Sequence, residues 1–184
     1  GKSFITANLG ISLAYGMDQY SLLVDCDMRR PTLAALFGQN ASPGLSDYLS
    51  GKSELPELIQ KSPIDKLSIL PSGRPPSNPA ELLSSERMKR LVDELSGRYD
   101  DRIIIFDTPP ALVASESAVL ARQVDAVIVV VREGGSGRED IRKIINVIEP
   151  GRILGIVYNG QTNSLLEKTI LHTAQGYYTP AKDS

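Results

Sequence analysis

Residues 22–31 read LLVDCDMRRP, an apolar run that leads into two carboxylates separated by one residue. A continuous run of Leu and Val is typical of a strand that is covered on both faces, as in a parallel sheet. Alternation along the strand directs Asp25 and Asp27 to one side and Cys26 to the other, into the core. Two like charges this close need a cation or a set of donors, and Mg²⁺ with bound waters is the natural solution. The alternative is that Asp27 merely caps the following turn.

Further apolar runs outward from this stretch predict an α/β fold. Strands are predicted at residues 21–24, 67–70, 103–106, 126–131 and 153–158, and helices at 3–15, 79–95, 115–122 and 138–148. Loops are predicted at 37–44 and 71–79. Because strands alternate with helices, we expect right-handed βαβ units and a doubly wound, mostly parallel sheet with helices on both faces.

Size, charge and cysteine content exclude several classes of protein. The 184 residues carry a net charge of −2, which does not suggest nucleic acid as a partner. A single cysteine excludes an internal disulfide framework and fits the cytoplasm. No apolar run approaches the ~20 residues that a membrane helix needs, and no secretory signal is visible. We expect one nucleotide-binding domain over 1–160, followed at 161–184 by a C-terminal helix and a flexible tail.

The chain begins with Gly1-Lys2-Ser3 directly ahead of a predicted helix. This is the end of the phosphate-loop pattern G-x-x-x-x-G-K-[ST], in which backbone N–H groups and the helix N-terminus surround phosphates. In this pattern the Lys reaches the β- and γ-phosphates and the Ser hydroxyl binds Mg²⁺. The triplet also fits an ordinary helix start, and it recurs at residues 51–53. We expect that the sequence begins within a longer protein, so that the first strand and the front of the loop are missing.

Two further strand ends carry polar side chains. Asp107 follows the run IIIF, and Asn159 follows GIVY. Ligands of open α/β sheets bind at the carboxyl ends of the strands, so Asp107 would meet Asp25 there. Asn159 offers a donor and an acceptor that suit the edge of a purine. Either residue alone also fits a simple turn.

Together these motifs resemble the cytoplasmic domain of bacterial tyrosine kinases of the capsular and exopolysaccharide co-polymerase family. The first three residues are similar to the end of their Walker A motif, 22–29 to Walker A′ and 103–107 to Walker B. The segments DTPP at 107–110 and SNPAELLSSERM at 77–88 are also similar to family segments. The resemblance covers nearly the whole chain, and its most specific part is the Walker A′ run with the Arg-Pro that follows.

The resemblance implies a P-loop NTPase fold and an ATP-dependent autokinase. In phosphoryl transfer the protein mainly positions groups and neutralises charge. Lys2 would stabilise the phosphates, Ser3, Asp25 and Asp107 would hold Mg²⁺, and Asp27 would accept the proton of an incoming tyrosine.

The acceptors implied by the resemblance are Tyr177 and Tyr178, which one subunit would present to another. Related partners are a membrane-embedded polysaccharide co-polymerase and further copies of the chain in a ring, at the inner face of the plasma membrane. Arg29 or Arg30 would bind phosphate or a neighbouring subunit, or simply lie in a solvated turn.

The sequence departs from the family pattern in the incomplete phosphate loop and in a tail with only one clear tyrosine pair. Two alternatives therefore stay open. One is an ATP-driven positioning switch of the partitioning and septum-site type, and the other is a non-catalytic nucleotide-binding regulatory subunit. Detection of phosphotyrosine distinguishes the kinase from both.

Overall fold

The computed structural model describes residues 1–16, 19–98, 101–110, 115–135, 137–148 and 150–160. Helices and strands alternate along this part of the chain. The helices are α1 (Lys2–Ala14), α2 (Leu33–Leu36), α3 (Leu45–Leu49), α4 (Leu55–Leu58), α5 (Pro79–Leu83), α6 (Glu86–Arg98), α7 (Ser115–Ala121) and α8 (Arg138–Val147), with a short 3₁₀ turn at Pro150–Arg152. The strands are β1 (Tyr20–Asp25), β2 (Gln60–Lys61), β3 (Leu67–Leu70), β4 (Arg102–Asp107), β5 (Val127–Arg132) and β6 (Ile153–Asn159).

The described strands form two hydrogen-bonded groups. One is a four-stranded sheet in the order β2-β3-β1-β4, and the other is the parallel pair β5-β6. β1 is parallel to both β3 and β4, while the two-residue β2 is antiparallel at the outer edge. The expectation of a mostly parallel sheet is confirmed. The expectation that a first strand is missing stays a prediction.

Alternate residues of β1 face two separate cores. Leu22 and Val24 pack with α3 to α7, whereas Leu23 packs with α1, α2 and β3. All three side chains are fully buried, and burial of each stabilises the fold by about 1.5–3 kcal/mol. A third, smaller core lies between α8 and the β5-β6 pair. The sheet is therefore covered on both faces at β1, as its continuous apolar run predicts. Among the described residues, β6 instead exposes Leu154, Ile156 and Tyr158 on one face.

The helix predicted over residues 79–95 is wrong as a single element, because it is broken at Ser84 and Ser85. The Ser85 hydroxyl accepts a hydrogen bond from the Met88 amide at 3.2 Å, so Ser85 caps the start of α6. It also donates to the carbonyl of Leu82 at 2.7 Å, in the last turn of α5. A serine with this local hydrogen bonding starts a new helix more readily than it continues one.

The glycine before α3 lies at a close approach of two loops. A Cβ on Gly44 would collide with the carbonyl oxygen of Pro71 and the amide nitrogen of Gly73. The amide of Leu45 also donates to that Pro71 oxygen at 2.7 Å, so the backbone cannot easily withdraw.

Gly44→Ala should therefore lower the free energy of unfolding by about 1–3 kcal/mol, because backbone atoms rather than a mobile side chain are in the way. Urea unfolding monitored by circular dichroism measures this. The matched control is Gly97→Ala in α6, where an added Cβ meets nothing within 4 Å and should stabilise by about 0.5–1 kcal/mol. Equal effects of the two substitutions would contradict the close approach at Gly44.

Candidate nucleotide and magnesium site

The predicted site residues lie at the carboxyl end of the sheet. β1 and β4 run in parallel with Asp25 paired directly with Asp107. Side chains in register on neighbouring parallel strands point to the same face, and both carboxyl groups are almost completely buried. The sequence thus correctly places these two acidic strand ends side by side.

Asp107 has a carboxylate without a hydrogen-bond partner. Neither of its oxygens has a donor within bonding geometry among the described residues. Burial raises the pKa of Asp107 above 3.8, and the nearby Asp27 raises it further, while Ser3 and Lys2 lower it. The Ser3 hydroxyl lies close enough for this effect without forming a hydrogen bond of ordinary geometry. A buried and unsatisfied carboxylate beside a lysine and a serine is a place for a cation.

Asp25, in contrast, accepts hydrogen bonds from three backbone amides. One oxygen accepts from the amide of Asp27 at 3.2 Å, and the other accepts from the amides of Thr32 and Leu33, both at 3.0 Å. Two of these donors are the first amides of α2, so Asp25 caps that helix from a distance. Burial still raises the pKa of Asp25 to about 6, against the lowering effect of these bonds.

Asp27 lies in the turn after β1 and is partly exposed. Its Oδ1 accepts from the amide of Arg30 at 3.1 Å, which is the turn-capping contact that the sequence leaves as an alternative. The charge of Asp27 also acts on Asp107, whose pKa it raises. Turn capping and a chemical role are therefore compatible for this residue.

The start of α1 contributes backbone donors. Gly1 is its N-cap residue, no side chain caps the helix, and its first turn contains no acidic residue. The free amides of such a helix end favour an anion. Asn159, at the end of β6, approaches this point, since a Cβ built on Gly1 would lie 3.2 Å from its Nδ2. Gly1, Lys2 and Ser3 are thus brought together with Asp107 and Asn159.

The donor set fits Mg²⁺ only if part of the coordination comes from water or phosphate. Within the described ranges no group of three or more His, Cys, Asp or Glu residues could hold a metal by itself. Mg²⁺ usually keeps several waters and takes one or two protein oxygens besides phosphates. The Ser3 hydroxyl and an Asp107 oxygen match that requirement. Asp25 lies beside Asp107 on the neighbouring strand.

Two predicted features lie away from the acidic pair. Cys26 is fully buried in the core on the opposite face of β1, as predicted, and burial raises the pKa of its thiol. Tyr177 and Tyr178 belong to residues 161–184, which fall outside the described part of the chain.

One ion pair near the site is not predicted from the sequence. Nη2 of Arg29 lies 3.1 Å from Oε1 of Glu116. Glu116 is only 2% exposed, although an acidic residue in the first turn of a short helix ordinarily suggests a solvated position. The partners are 87 positions apart in the sequence, so no local pattern indicates the contact.

Comparison with known proteins gives a consistent set of relatives. A family described as an AAA domain matches residues 1–152. The tyrosine-protein kinase YwqD of Bacillus subtilis is 35% identical over 97% of this chain and 72% of its own length. The putative tyrosine-protein kinase EpsB of Ralstonia solanacearum is 35% identical over 86% of this chain.

The same similarity extends to a solved structure. The kinase domain of the Escherichia coli tyrosine kinase ETK superposes with a TM-score of 0.80 at 33% identity, over 90% of this chain and 66% of that chain. The chain spans only about a fifth of the Ralstonia relatives, of which it covers 21%.

The raised pKa of Asp25 predicts a pH dependence of stability in metal-free protein. Between its ordinary value of 3.8 and its folded value of about 6, the folded state holds a proton that the unfolded state has released. The free energy of unfolding should therefore decrease as the pH rises through this window. Asp25→Asn removes this titration. The difference in unfolding free energy, wild type minus variant, should fall by on the order of 3 kcal/mol from pH 4 to 7.

Urea titrations at a series of pH values in EDTA measure this difference. Asp93→Asn serves as the control, because it removes an exposed carboxyl on α6 and should follow the wild-type curve. Parallel pH curves for wild type and Asp25→Asn would show that the burial of Asp25 does not shift its titration.

Proposed function

Because the chain belongs to the family of bacterial tyrosine-protein kinases built on the AAA domain, we propose that it is the ATP-dependent kinase domain of a protein-tyrosine autokinase. The observation that carries the proposal is the buried Asp107 carboxylate, which has no hydrogen-bond partner and lies beside Lys2 and Ser3. A site of this kind matches a nucleotide whose phosphates carry a cation.

The residues divide the work of phosphoryl transfer. Lys2 and the free amides of α1 bind the phosphates, and Asn159 contacts the base. Ser3 and Asp107 would hold Mg²⁺ together with Asp25, whose oxygens already accept three backbone bonds. Mg²⁺ bound there supplies neutralisation of phosphate charge.

Asp27 is the proposed base. A tyrosine with a pKa near 10 is only about 0.1% ionised at pH 7, so a carboxylate that accepts its proton assists the transfer. Asp27 is partly exposed in the turn after β1 and close enough to Asp107 to affect its pKa. These two properties support the proposal that Asp27 accepts the proton of an incoming tyrosine.

The acceptors we propose are Tyr177 and Tyr178, presented by one copy of the chain to the site of another in a homo-oligomeric ring. A tail can reach a neighbouring site in a way that a core tyrosine such as Tyr48 cannot. The proposed biological role is control of capsular or exopolysaccharide polymerisation and export.

The partner we propose is a membrane-embedded polysaccharide co-polymerase that holds the domain at the cytoplasmic face of the plasma membrane. Among the described helices, none combines the length and apolarity needed to cross a bilayer. A net charge of −2 gives no support to nucleic acid as a ligand.

The metal assignment predicts opposite effects of one substitution on binding and on stability. Loss of an outer-shell partner of a metal already costs about 10- to 100-fold in affinity, so Asp107→Asn should weaken Mg²⁺-dependent ATP binding by at least about tenfold. The same change should raise the unfolding free energy of metal-free protein at pH 7, because it removes a buried charge without a partner.

Fluorescent-nucleotide titration with and without Mg²⁺, together with urea unfolding, measures both effects on the full-length protein. Asp93→Asn is again the control. Unchanged Mg²⁺-dependent affinity in Asp107→Asn would contradict the proposed metal site, whatever the change in stability.

Autophosphorylation is tested on the full-length protein with Mg²⁺–ATP and the proposed membrane partner. Mass spectrometry should find phosphate on the tail tyrosines, and Tyr177→Phe/Tyr178→Phe should abolish most of it. Tyr15→Phe is a matched control, because Tyr15 is a highly exposed tyrosine outside the tail, with 78% of its surface accessible. ATP hydrolysis without phosphotyrosine would instead favour the positioning switch or the regulatory subunit.

A further inference from the structure

An ion pair joins the turn after β1, which contains Asp27, to the first turn of α7. Arg29 lies in that turn and Glu116 in α7, with 3.1 Å between Nη2 and Oε1.

Hydrogen bonds fix the segment that carries each partner, the turn after β1 for Arg29 and the start of α7 for Glu116. On one side, the amide of Arg30 donates to Asp27 at 3.1 Å, so Arg29 lies inside a closed turn. On the other side, the hydroxyl of Ser117 donates to the carbonyl of Pro109 at 2.9 Å in a buried contact. Movement of either partner would therefore move the turn or the helix to which it belongs.

The burial of the pair is unequal. Glu116 is 2% exposed, whereas the side chain of Arg29 is 54% exposed. A carboxylate this deeply buried must keep charged or polar partners, because isolation from water is costly for it. The guanidinium supplies such a partner and stays accessible at the surface. Glu116 therefore constrains where Arg29 lies more than Arg29 constrains Glu116.

We infer that Glu116 is a positioning residue. Through its ion pair with Arg29, it holds the turn that contains Asp27 next to the strand ends that carry Asp25 and Asp107. This inference rests on the proposed kinase function and assigns Glu116 no contact with nucleotide or tyrosine. Its effect is on the placement of the proton acceptor. A misplacement of about 1 Å in a catalytic group can cost on the order of 100-fold in rate.

The test is a double-mutant cycle in the full-length protein, with kcat and KM measured for Mg²⁺–ATP-dependent tyrosine phosphorylation. Arg29→Ala and Glu116→Ala should each lower kcat by about 10- to 100-fold, while KM for ATP stays within about threefold of wild type. The double variant should be no worse than the poorer single variant, because both residues act as one unit. If Glu116→Ala does not fold, Glu116→Gln is used instead, because it keeps the shape of the side chain. It should likewise lower kcat while KM for ATP stays nearly unchanged.

The matched control is the pair formed by Glu94 and Arg98, which has the same 3.1 Å separation but lies exposed within α6. Ala at either control position should leave kcat unchanged. Additive losses in the cycle, or equal losses of kcat and ATP affinity, would overturn the inference while leaving the kinase proposal intact. Wild-type protein that forms no phosphotyrosine at all would overturn both.

Discussion

Two carboxylates stand side by side in the interior of the molecule, where β1 pairs with β4 so that Asp25 and Asp107 are opposite each other. Like charges in a buried position repel each other and lose their hydration, which is costly unless each is compensated. The fold compensates them differently. Asp25 accepts three backbone bonds, two of them from the start of α2, and Asp107 accepts none from the described chain.

This asymmetry organises the surroundings of the strand ends. Because Asp25 caps α2 from the end of β1, the segment after the strand must turn back toward that strand end, and the turn contains Asp27 and Arg29. Because Asp107 lacks donors, it remains free to face the start of α1, whose own amides are uncapped. The start of α1, which favours an anion, and the Asp107 carboxylate, which favours a cation, therefore lie next to each other. A charged phosphate with its cation satisfies both at once.

The sequence alone predicts the strands closely and the short helices poorly. The runs of Ile, Leu and Val locate β3 to the residue and β1, β4, β5 and β6 within one residue at either end, because continuous β-branched and apolar runs are typical of strands in a parallel sheet. α2, α3 and α4 have four or five residues each, which is too few for an apolar period to be visible. The break before α6 is caused by the Ser85 cap. A serine is a common cap residue, but the apolar spacing continues through residues 79–95 and therefore predicts one helix.

The candidate site is predictable to the extent that it consists of strand ends. Asp25, Asp107 and Asn159 are found because the carboxyl ends of parallel strands share an edge. The different hydrogen bonding of the two aspartates depends on where α2 begins, and the partner of Arg29 depends on packing across 87 residues of sequence. Neither can be derived from spacing, because both arise only when distant segments meet.

The outer edge of the four-stranded sheet has a consequence for how copies of the chain can associate. β2 has two residues, runs against its neighbour and exposes Lys61. A long, flat edge would offer its unpaired amides and carbonyls as a template for strand addition, the route to open-ended aggregates. A two-residue edge with a lysine offers almost none. Open-ended strand addition between copies of the chain is therefore disfavoured on that side of the sheet.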